Sequence, residues 1–198
     1  VKNLGELSDR IKDRLLSYGE QMSSKIVSAF LQSENFPAVF QDSRELIATD
    51  SHFGNANVDS KKTNENLKNW KLENQIYVVT GFIAKDKNDD TTTLGRGGSD
   101  YTAAILGSGL KADEIQIWTD VDGFLTADPR LVKNAFSQSE LSYQEAMEMS
   151  YFGAKVIYPP TMIPAIESQI PIYIKNTFKP ESQGTCLLYT SPSPRDRG

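Results

Sequence analysis

Residues 91–101 have the sequence Thr-Thr-Thr-Leu-Gly-Arg-Gly-Gly-Ser-Asp-Tyr, in which a run of glycines leads into a predicted helix. Backbone N–H groups at such a helix start attract an anion, because small residues permit close approach and the helix dipole favours negative charge. Arg96 adds a planar guanidinium that suits a carboxylate or a phosphate. The stretch therefore predicts a site for an acidic substrate. It would equally suit an ordinary helix that is capped by Ser99 and has Asp100 in its first turn.

A predicted strand runs into a loop rich in carboxylates at residues 117–130, Ile-Trp-Thr-Asp-Val-Asp-Gly-Phe-Leu-Thr-Ala-Asp-Pro-Arg. Ligands of open α/β sheets bind beyond the carboxyl ends of strands, so this loop is a candidate nucleotide contact. A calcium-binding loop is excluded, because Leu131 stands where the bidentate glutamate belongs. Two tight turns, Asp122-Gly123 and Asp128-Pro129, are the structural alternative.

A single lysine lies among small and apolar residues at 150–159, Ser-Tyr-Phe-Gly-Ala-Lys-Val-Ile-Tyr-Pro. Lys155 in such a segment can neutralise the charge of a transferring phosphoryl group, which phosphoryl transfer requires more than covalent chemistry. Taken alone, it also fits a surface lysine that lays its alkyl chain along apolar neighbours.

Two further residues follow glycines, and each has a structural interpretation. Glu20 follows Gly19 at a predicted helix start, where it can offset the helix dipole, and Phe82 follows Gly81 at a strand end, where it fits the core. His52 is the only histidine, and the sequence shows no residue that would orient it as a general base.

Hydrophobic spacing indicates strands that alternate with helices, a pattern that favours a mainly parallel sheet covered by helices. Apolar residues at helical spacing predict two amphipathic helices that meet at Gly19-Glu20, and a polar loop is predicted to contain residues 86–90. Further helices are predicted at 59–70, from Ser99, at 143–149 and at 161–167, and strands at 38–40, 75–80, 114–119 and 171–175.

Composition limits the class of protein. The chain has 198 residues, enough for one ordinary domain. A net charge of −5 argues against a nucleic-acid or anionic-membrane binder, since such proteins need a positive surface. Cys186 is the only cysteine, which excludes an internal disulfide and favours a reducing cytoplasm. No stretch approaches the roughly 18 apolar residues that a membrane span requires.

Composition changes abruptly after Gly184-Thr185. Residues 1–185 are predicted to form one domain, and 186–198, which end in a run rich in serine and proline, to form a disordered, foreign tail. The absence of an initiator methionine before Val1 predicts a truncated start.

Together and in this order, residues 92–101, 118–130 and 152–156 resemble aspartate kinase, and the resemblance covers residues 1–185. Residues 141–152 and 174–177 are most similar to the bifunctional aspartokinase/homoserine dehydrogenase branch. The resemblance implies the amino acid kinase fold, a three-layer α/β/α sandwich with a mainly parallel sheet. In that fold an N-terminal lobe holds the amino acid and a C-terminal lobe holds ATP.

The resemblance also implies the activity, which is ATP- and Mg²⁺-dependent phosphorylation of the side-chain carboxylate of L-aspartate, the first step toward lysine, threonine and methionine. It implies a cytoplasmic, homo-oligomeric parent protein. Arg96 would grip the α-carboxylate, Glu20 would face the amino group, and Asp100 and Lys155 would be catalytic. The implied substrate-binding residues are Glu20, Phe82, Arg96, Gly97, Gly98 and Ser99, and the implied nucleotide-binding residues are Thr119, Asp120, Leu125, Arg130, Lys155 and Val156.

The sequence departs from the family in places. The family begins with a Lys-Phe-Gly-Gly-Thr-Ser motif that serves the phosphates, and nothing before Val1 supplies it, so this fragment alone is expected to be inactive. Many relatives carry an aromatic residue at the position of Leu125 and a histidine at that of Tyr158. Two alternatives stay open: a non-catalytic module that binds a nucleotide or an amino acid, and a kinase of the same fold with another acceptor.

Overall fold

The computed structural model describes residues 7–127, 132–151 and 156–189. The chain divides into two compact units, Val1–Thr102 and Ala103–Gly198. Among the described residues, no helix combines the length and the apolar character that crossing a bilayer requires.

The first unit contains two small sheets, one of two strands in the order β1-β3 and one of three strands in the order β2-β4-β5. Strand β1 pairs in parallel with β3, β2 pairs in parallel with β4, and β4 and β5 form an antiparallel hairpin. Its elements are α1 Asp9–Ser33, β1 Ala38–Gln41, β2 Ala48–Thr49, α2 Ser60–Asn69, β3 Ile76–Val79, β4 Ile83–Asp86, β5 Thr91–Thr93 and the start of α3 Gly98–Leu110.

Helix α1 corrects the prediction of two helices that meet at Gly19-Glu20, because it continues unbroken through both residues. A glycine inside a helix costs only about 1 kcal/mol relative to alanine. Packing of α1 against β1, β3 and β5 offsets this cost.

The side of α1 that packs is also the reverse of the expected one. Its buried residues are Asp13, Ser17, Ser24 and Ser28. The apolar side chains that predicted the helix are exposed instead: Leu7, Ile11, Leu15, Met22, Ile26 and Phe30. The spacing therefore identified the helix but not the face that packs on the strands.

The second unit is built on a four-stranded sheet with the order β6-β8-β9-β7. Its core lies on one face of the sheet, where Phe124, Ile172, Ile174 and Leu187 are fully buried. The elements are β6 Ile115–Thr119, β7 Glu140–Ser142, α4 Tyr143–Tyr151, a 3₁₀ turn at Pro159–Met162, α5 Ile163–Glu167, β8 Ile172–Asn176 and β9 Thr185–Leu188.

Strand β9 shows that the disorder predicted from residue 186 is wrong for Cys186, Leu187 and Leu188. This strand lies inside the sheet, antiparallel to β8 and parallel to β7. Four residues are enough to form this strand because partner strands on both sides supply hydrogen bonds and Leu187 is buried in the core. The prediction for residues 190–198 lies outside the described residues.

The α/β class with mainly parallel pairing is confirmed. Of the strand pairs described, β1–β3, β2–β4, β6–β8 and β7–β9 are parallel, and only β4–β5 and β8–β9 are antiparallel. The predicted loop that contains residues 86–90 is the tip of the β4–β5 hairpin.

Candidate functional site

Helix α1 and the glycine-rich loop converge on the segment after β3. The Glu20 carboxylate accepts a hydrogen bond from the Gly81 N–H at 3.3 Å. A Cβ atom at Gly81 would lie 3.0 Å from the Ser99 hydroxyl, so a larger residue would crowd it. Glu20, Gly81 and Ser99, which are far apart in the sequence, therefore lie within one small neighbourhood.

Phe82 has an unusual backbone conformation in this neighbourhood, with φ of 67°. A non-glycine residue in this region costs about 1–3 kcal/mol and persists only where its surroundings impose it. Two hydrogen bonds do so: the Phe82 N–H donates to the Thr102 hydroxyl at 3.0 Å, and its carbonyl accepts from the Leu94 N–H at 2.9 Å. Phe82 is half-buried, so it is not a fully buried core residue.

The glycines of residues 95–98 are required by geometry. Gly95 and Gly97 have φ of 72° and 70°, which favour glycine. A Cβ at Gly98 would lie 2.7 Å from the Phe82 ring. Helix α3 begins at Gly98, so Ser99 lies within its first turn and is not the cap that the sequence predicted.

The charged groups of this neighbourhood have opposite signs. Arg96 and Ser99 are exposed, whereas Glu20 and Asp100 are half-buried. A carboxylate suits a cationic amino group and a guanidinium suits a carboxylate. These residue types are the ones that a zwitterion requires, and the start of α3 adds N–H groups that favour negative charge.

Asp100 lies in the first turn of α3. Burial raises the pKa of its carboxyl above the usual value. The folded protein therefore holds a carboxylate in an environment that disfavours its charged form, as functional sites often do.

Replacing Asp100 with asparagine is expected to stabilise the folded chain at neutral pH. Because its folded pKa is raised, Asp100 favours folding less once the pH rises above its unfolded pKa, about 3.9. The stability difference should therefore vanish in acid and appear as the pH rises. Thermal melts at several pH values test this, with roughly 2–4 °C expected for each 1 kcal/mol gained. A variant less stable than the original at pH 7 would contradict it.

All the predicted nucleotide-binding residues that the structure describes lie in the second unit. Thr119 is the last residue of β6 and pairs with Asn176, the last residue of β8. Its hydroxyl donates to the Asp120 carboxylate at 3.2 Å, and its carbonyl accepts from the Thr177 N–H at 2.8 Å. The two strands are parallel, so their carboxyl ends meet at one edge, where α/β sheets bind ligands.

The remaining predicted nucleotide contacts are less concentrated. Leu125 is half-buried and forms an antiparallel bridge with Ser137. Val156 packs against the core of the second unit. Arg130 and Lys155 lie outside the described residues.

A polar cluster that was not predicted from the sequence lies near the edge formed by β6 and β8. The Asp122 carboxylate accepts hydrogen bonds from the Asn176 amide and from the Lys179 ammonium, the latter at 2.8 Å. These two bonds lower the pKa of Asp122 below its usual value. Nothing local marks this cluster, because Asp122 lies more than 50 residues before both of its partners in the sequence. It holds the loop after β6 to the segment after β8.

Comparison with known proteins places these features in context. A sequence profile of the Amino acid kinase family matches residues 2–176. The bifunctional aspartokinase/homoserine dehydrogenase of Buchnera aphidicola subsp. Acyrthosiphon pisum is 40% identical over 195 residues, which cover 98% of this chain and 24% of that protein. Aspartokinase 3, chloroplastic, of Arabidopsis thaliana is 41% identical over 196 residues, which cover 94% of this chain and 34% of that protein.

Among solved structures, E. coli aspartokinase III in complex with aspartate and ADP superposes with a TM-score of 0.89 at 37% identity. The match covers 96% of this chain and 43% of that one. The chain thus spans less than half the length of these relatives. Identities of 40% and 41% do not separate the bifunctional branch from the monofunctional one, so the branch stays a prediction.

Proposed function

This chain belongs to the amino acid kinase family, and we propose that it forms part of the catalytic domain of an aspartate kinase. The observation that carries the proposal is the convergence of Glu20, Gly81 and Ser99 beside the loop that bears Arg96. An acid and a guanidinium in one neighbourhood suit an acceptor that has both an amino and a carboxylate group. Identity of about 40% to aspartokinases over nearly the whole chain supports the choice of aspartate.

In this proposal the first unit binds the amino acid. Glu20 receives the amino group and Arg96 holds the α-carboxylate through its planar pair of donors. Gly97, Gly98 and Ser99 present backbone at the start of α3, and Phe82 shapes the wall beside them. Gly98 supports this role, since a side chain there would fill the space against Phe82.

The second unit binds ATP, with Thr119, Asp120, Leu125 and Val156 as contacts, and with Arg130 and Lys155 carried over from the family resemblance. The described residues contain no group of three or more side chains that could hold a metal ion. Proteins commonly bind Mg²⁺ through substrate phosphates and only one or two carboxylates, and the exposed Asp120 would be available as one of them. When bound, the ion neutralises phosphate charge.

The chemistry needs little from the protein beyond position and charge. An oxygen of the aspartate side-chain carboxylate attacks the γ-phosphorus, an O–P bond forms, and the bond to the β-phosphate oxygen breaks to release ADP. No base is required, because that carboxylate is ionised at neutral pH. Arg96 and Glu20 orient the acceptor. By the family resemblance, Lys155 would offset the charge of the transferring group and Asp100 would be catalytic.

The test is an acceptor panel with hydroxylamine trapping, carried out on the full-length protein that contains this chain. An acyl phosphate reacts with hydroxylamine, so ATP and L-aspartate are expected to give a hydroxamate that glutamate and acetylglutamate do not give. Binding of ATP without turnover would favour a non-catalytic module. Transfer to a nucleoside monophosphate would give a product that hydroxylamine does not trap.

We also propose that the full-length protein is a homo-oligomer and lies in the cytoplasm. The exposed apolar side chains of α1, among them Met22, Ile26 and Phe30, support association, because contiguous exposed apolar side chains mark interaction surfaces. Light scattering would measure the mass. A monomer would mean that other parts of the same polypeptide cover α1.

A further inference from the structure

One carboxylate buried under α1 has no role in the proposed chemistry. Asp13 is 0% exposed. One of its oxygens accepts from the Gly54 N–H at 2.8 Å and from the Thr93 N–H at 2.9 Å, and the other accepts from the Thr93 hydroxyl at 2.9 Å. All three donors are neutral. A fully buried carboxylate is expensive unless it is hydrogen-bonded, so these contacts hold it tightly.

The contacts of Asp13 lie next to the proposed amino-acid site. Asp13 precedes Glu20 by seven residues on one helix, which is about two turns, so the two carboxylates lie on the same face of α1. Thr93 ends β5 and precedes Arg96 by three residues.

Gly54 connects Asp13 to the same loop by a second route. It is followed by Asn55, whose side-chain oxygen would lie 2.2 Å from a Cβ at Gly95. The Ala56 N–H also donates to the Thr93 carbonyl at 2.9 Å. One carboxylate therefore joins the helix that carries Glu20 to both segments that flank the Arg96 loop.

We propose that Asp13 is a positioning residue for the acceptor, and that it sets the separation between Glu20 and Arg96. The inference rests on the proposed function, because it assigns those two residues to the two ends of one amino acid. Asp13 itself is buried and touches no substrate. Its effect passes through Thr93 and Gly54, and a shift of about 1 Å in a binding group can cost up to about 10²-fold in rate.

Hydrogen-bond chemistry separates a positioning role from a requirement for charge. Asparagine keeps one oxygen that can accept both N–H groups, and its amide can donate to the Thr93 hydroxyl, which can turn to accept. Alanine leaves all three donors without an acceptor. Positioning therefore predicts that Asp13→Asn retains function and that Asp13→Ala does not.

A matched control is available in the same unit. Asp86 is 4% exposed and likewise accepts two backbone N–H bonds, from Asn88 at 2.9 Å and from Asp90 at 3.0 Å, together with a hydroxyl bond from Ser51. It organises the tip of the β4–β5 hairpin. Asp86→Ala should cost stability as Asp13→Ala does, without a selective effect on aspartate.

The experiment measures kcat, KM for aspartate, KM for ATP and Tm in the full-length protein and its variants. Asp13→Ala is expected to raise the KM for aspartate about tenfold or more and to leave the KM for ATP within about twofold. Asp13→Asn should stay within about threefold of the original for both substrates. Thr93→Val removes only the hydroxyl donor, so its KM for aspartate should lie between those of the two Asp13 variants. If Asp13→Ala does not fold, Thr93→Val and Asp13→Asn provide the test.

Any of three results would overturn the inference. The first is an unchanged KM for aspartate in Asp13→Ala or, should that variant not fold, in Thr93→Val. The second is an equal increase of this KM in Asp13→Asn and Asp13→Ala, and the third is the same increase in Asp86→Ala. The first would leave Asp13 as a stabilising residue only, and the second would indicate that its charge is required. Failure of the proposed function would look different, because the unmodified full-length protein would then not phosphorylate aspartate.

Discussion

Replacing Arg96 with alanine in the full-length protein is expected to lower kcat/KM for aspartate by roughly 10²- to 10³-fold. Arg96 is exposed without substrate, and in this proposal the bound amino acid covers it. Removing one partner of a buried, hydrogen-bonded charge pair typically costs about 2–5 kcal/mol, and each 1.36 kcal/mol is tenfold in rate. The nucleotide is proposed to bind to the second unit, so the KM for ATP should change little. Steady-state kinetics with each substrate varied in turn measure both quantities.

Two control variants sharpen this prediction. Arg96→Lys keeps the charge and loses the planar fork, so its kcat/KM should fall between the original and the alanine variant. Arg10→Ala removes another arginine of the same unit, one that is mostly exposed and paired with Asp90. Surface pairs of this kind contribute little, so its kinetics should be unchanged. An Arg96→Ala variant with unaltered aspartate kinetics would refute the proposed carboxylate contact.

Replacing Gly184 with alanine is expected to destabilise the chain by more than about 3 kcal/mol. Gly184 precedes β9 with φ of 69°, and a Cβ there would lie 2.0 Å from the backbone oxygen of Ile174 in β8. Unlike a side chain, a strand carbonyl cannot rotate away without loss of the β8–β9 pairing. The midpoint of urea unfolding measures the effect.

Gly54→Ala is the matched control, since Gly54 has φ of 88° and nothing within 4 Å of an added Cβ. It carries the conformational cost of alanine at positive φ, about 1 kcal/mol, without a collision. Equal destabilisation in the two variants would show that the approach to Ile174 has no influence.

Several parts of the fold were predictable because their signals are local. Helix α2 begins after Asp59, whose side chain caps it by accepting from the Lys62 N–H, and this start lies within one residue of the predicted one. Strands β1, β3, β6 and β8 all lie within a residue or two of their predicted bounds. The glycine-rich loop before α3 was identifiable because only glycine suits positive φ and close packing against Phe82.

Other features depend on contacts that no local pattern contains. Strand β9 exists because β8 and β7 lie on either side of it, and its four residues carry too weak a pattern to predict it alone. The Asp122 cluster and the bonds of Asp13 to Gly54 and Thr93 each join segments at least 40 residues apart.

Residue order alone thus established where helices and strands form and which motifs carry chemistry, because propensity, capping and glycine geometry act over a few neighbours. Long-range packing was needed to establish that α1 turns its polar side toward the strands, that β9 belongs to the sheet, and that Asp13 joins the Glu20 helix to the Arg96 loop. The physical reason is that burial and hydrogen-bond satisfaction depend on which surfaces meet, and a helical or strand period identifies a face without identifying its partner.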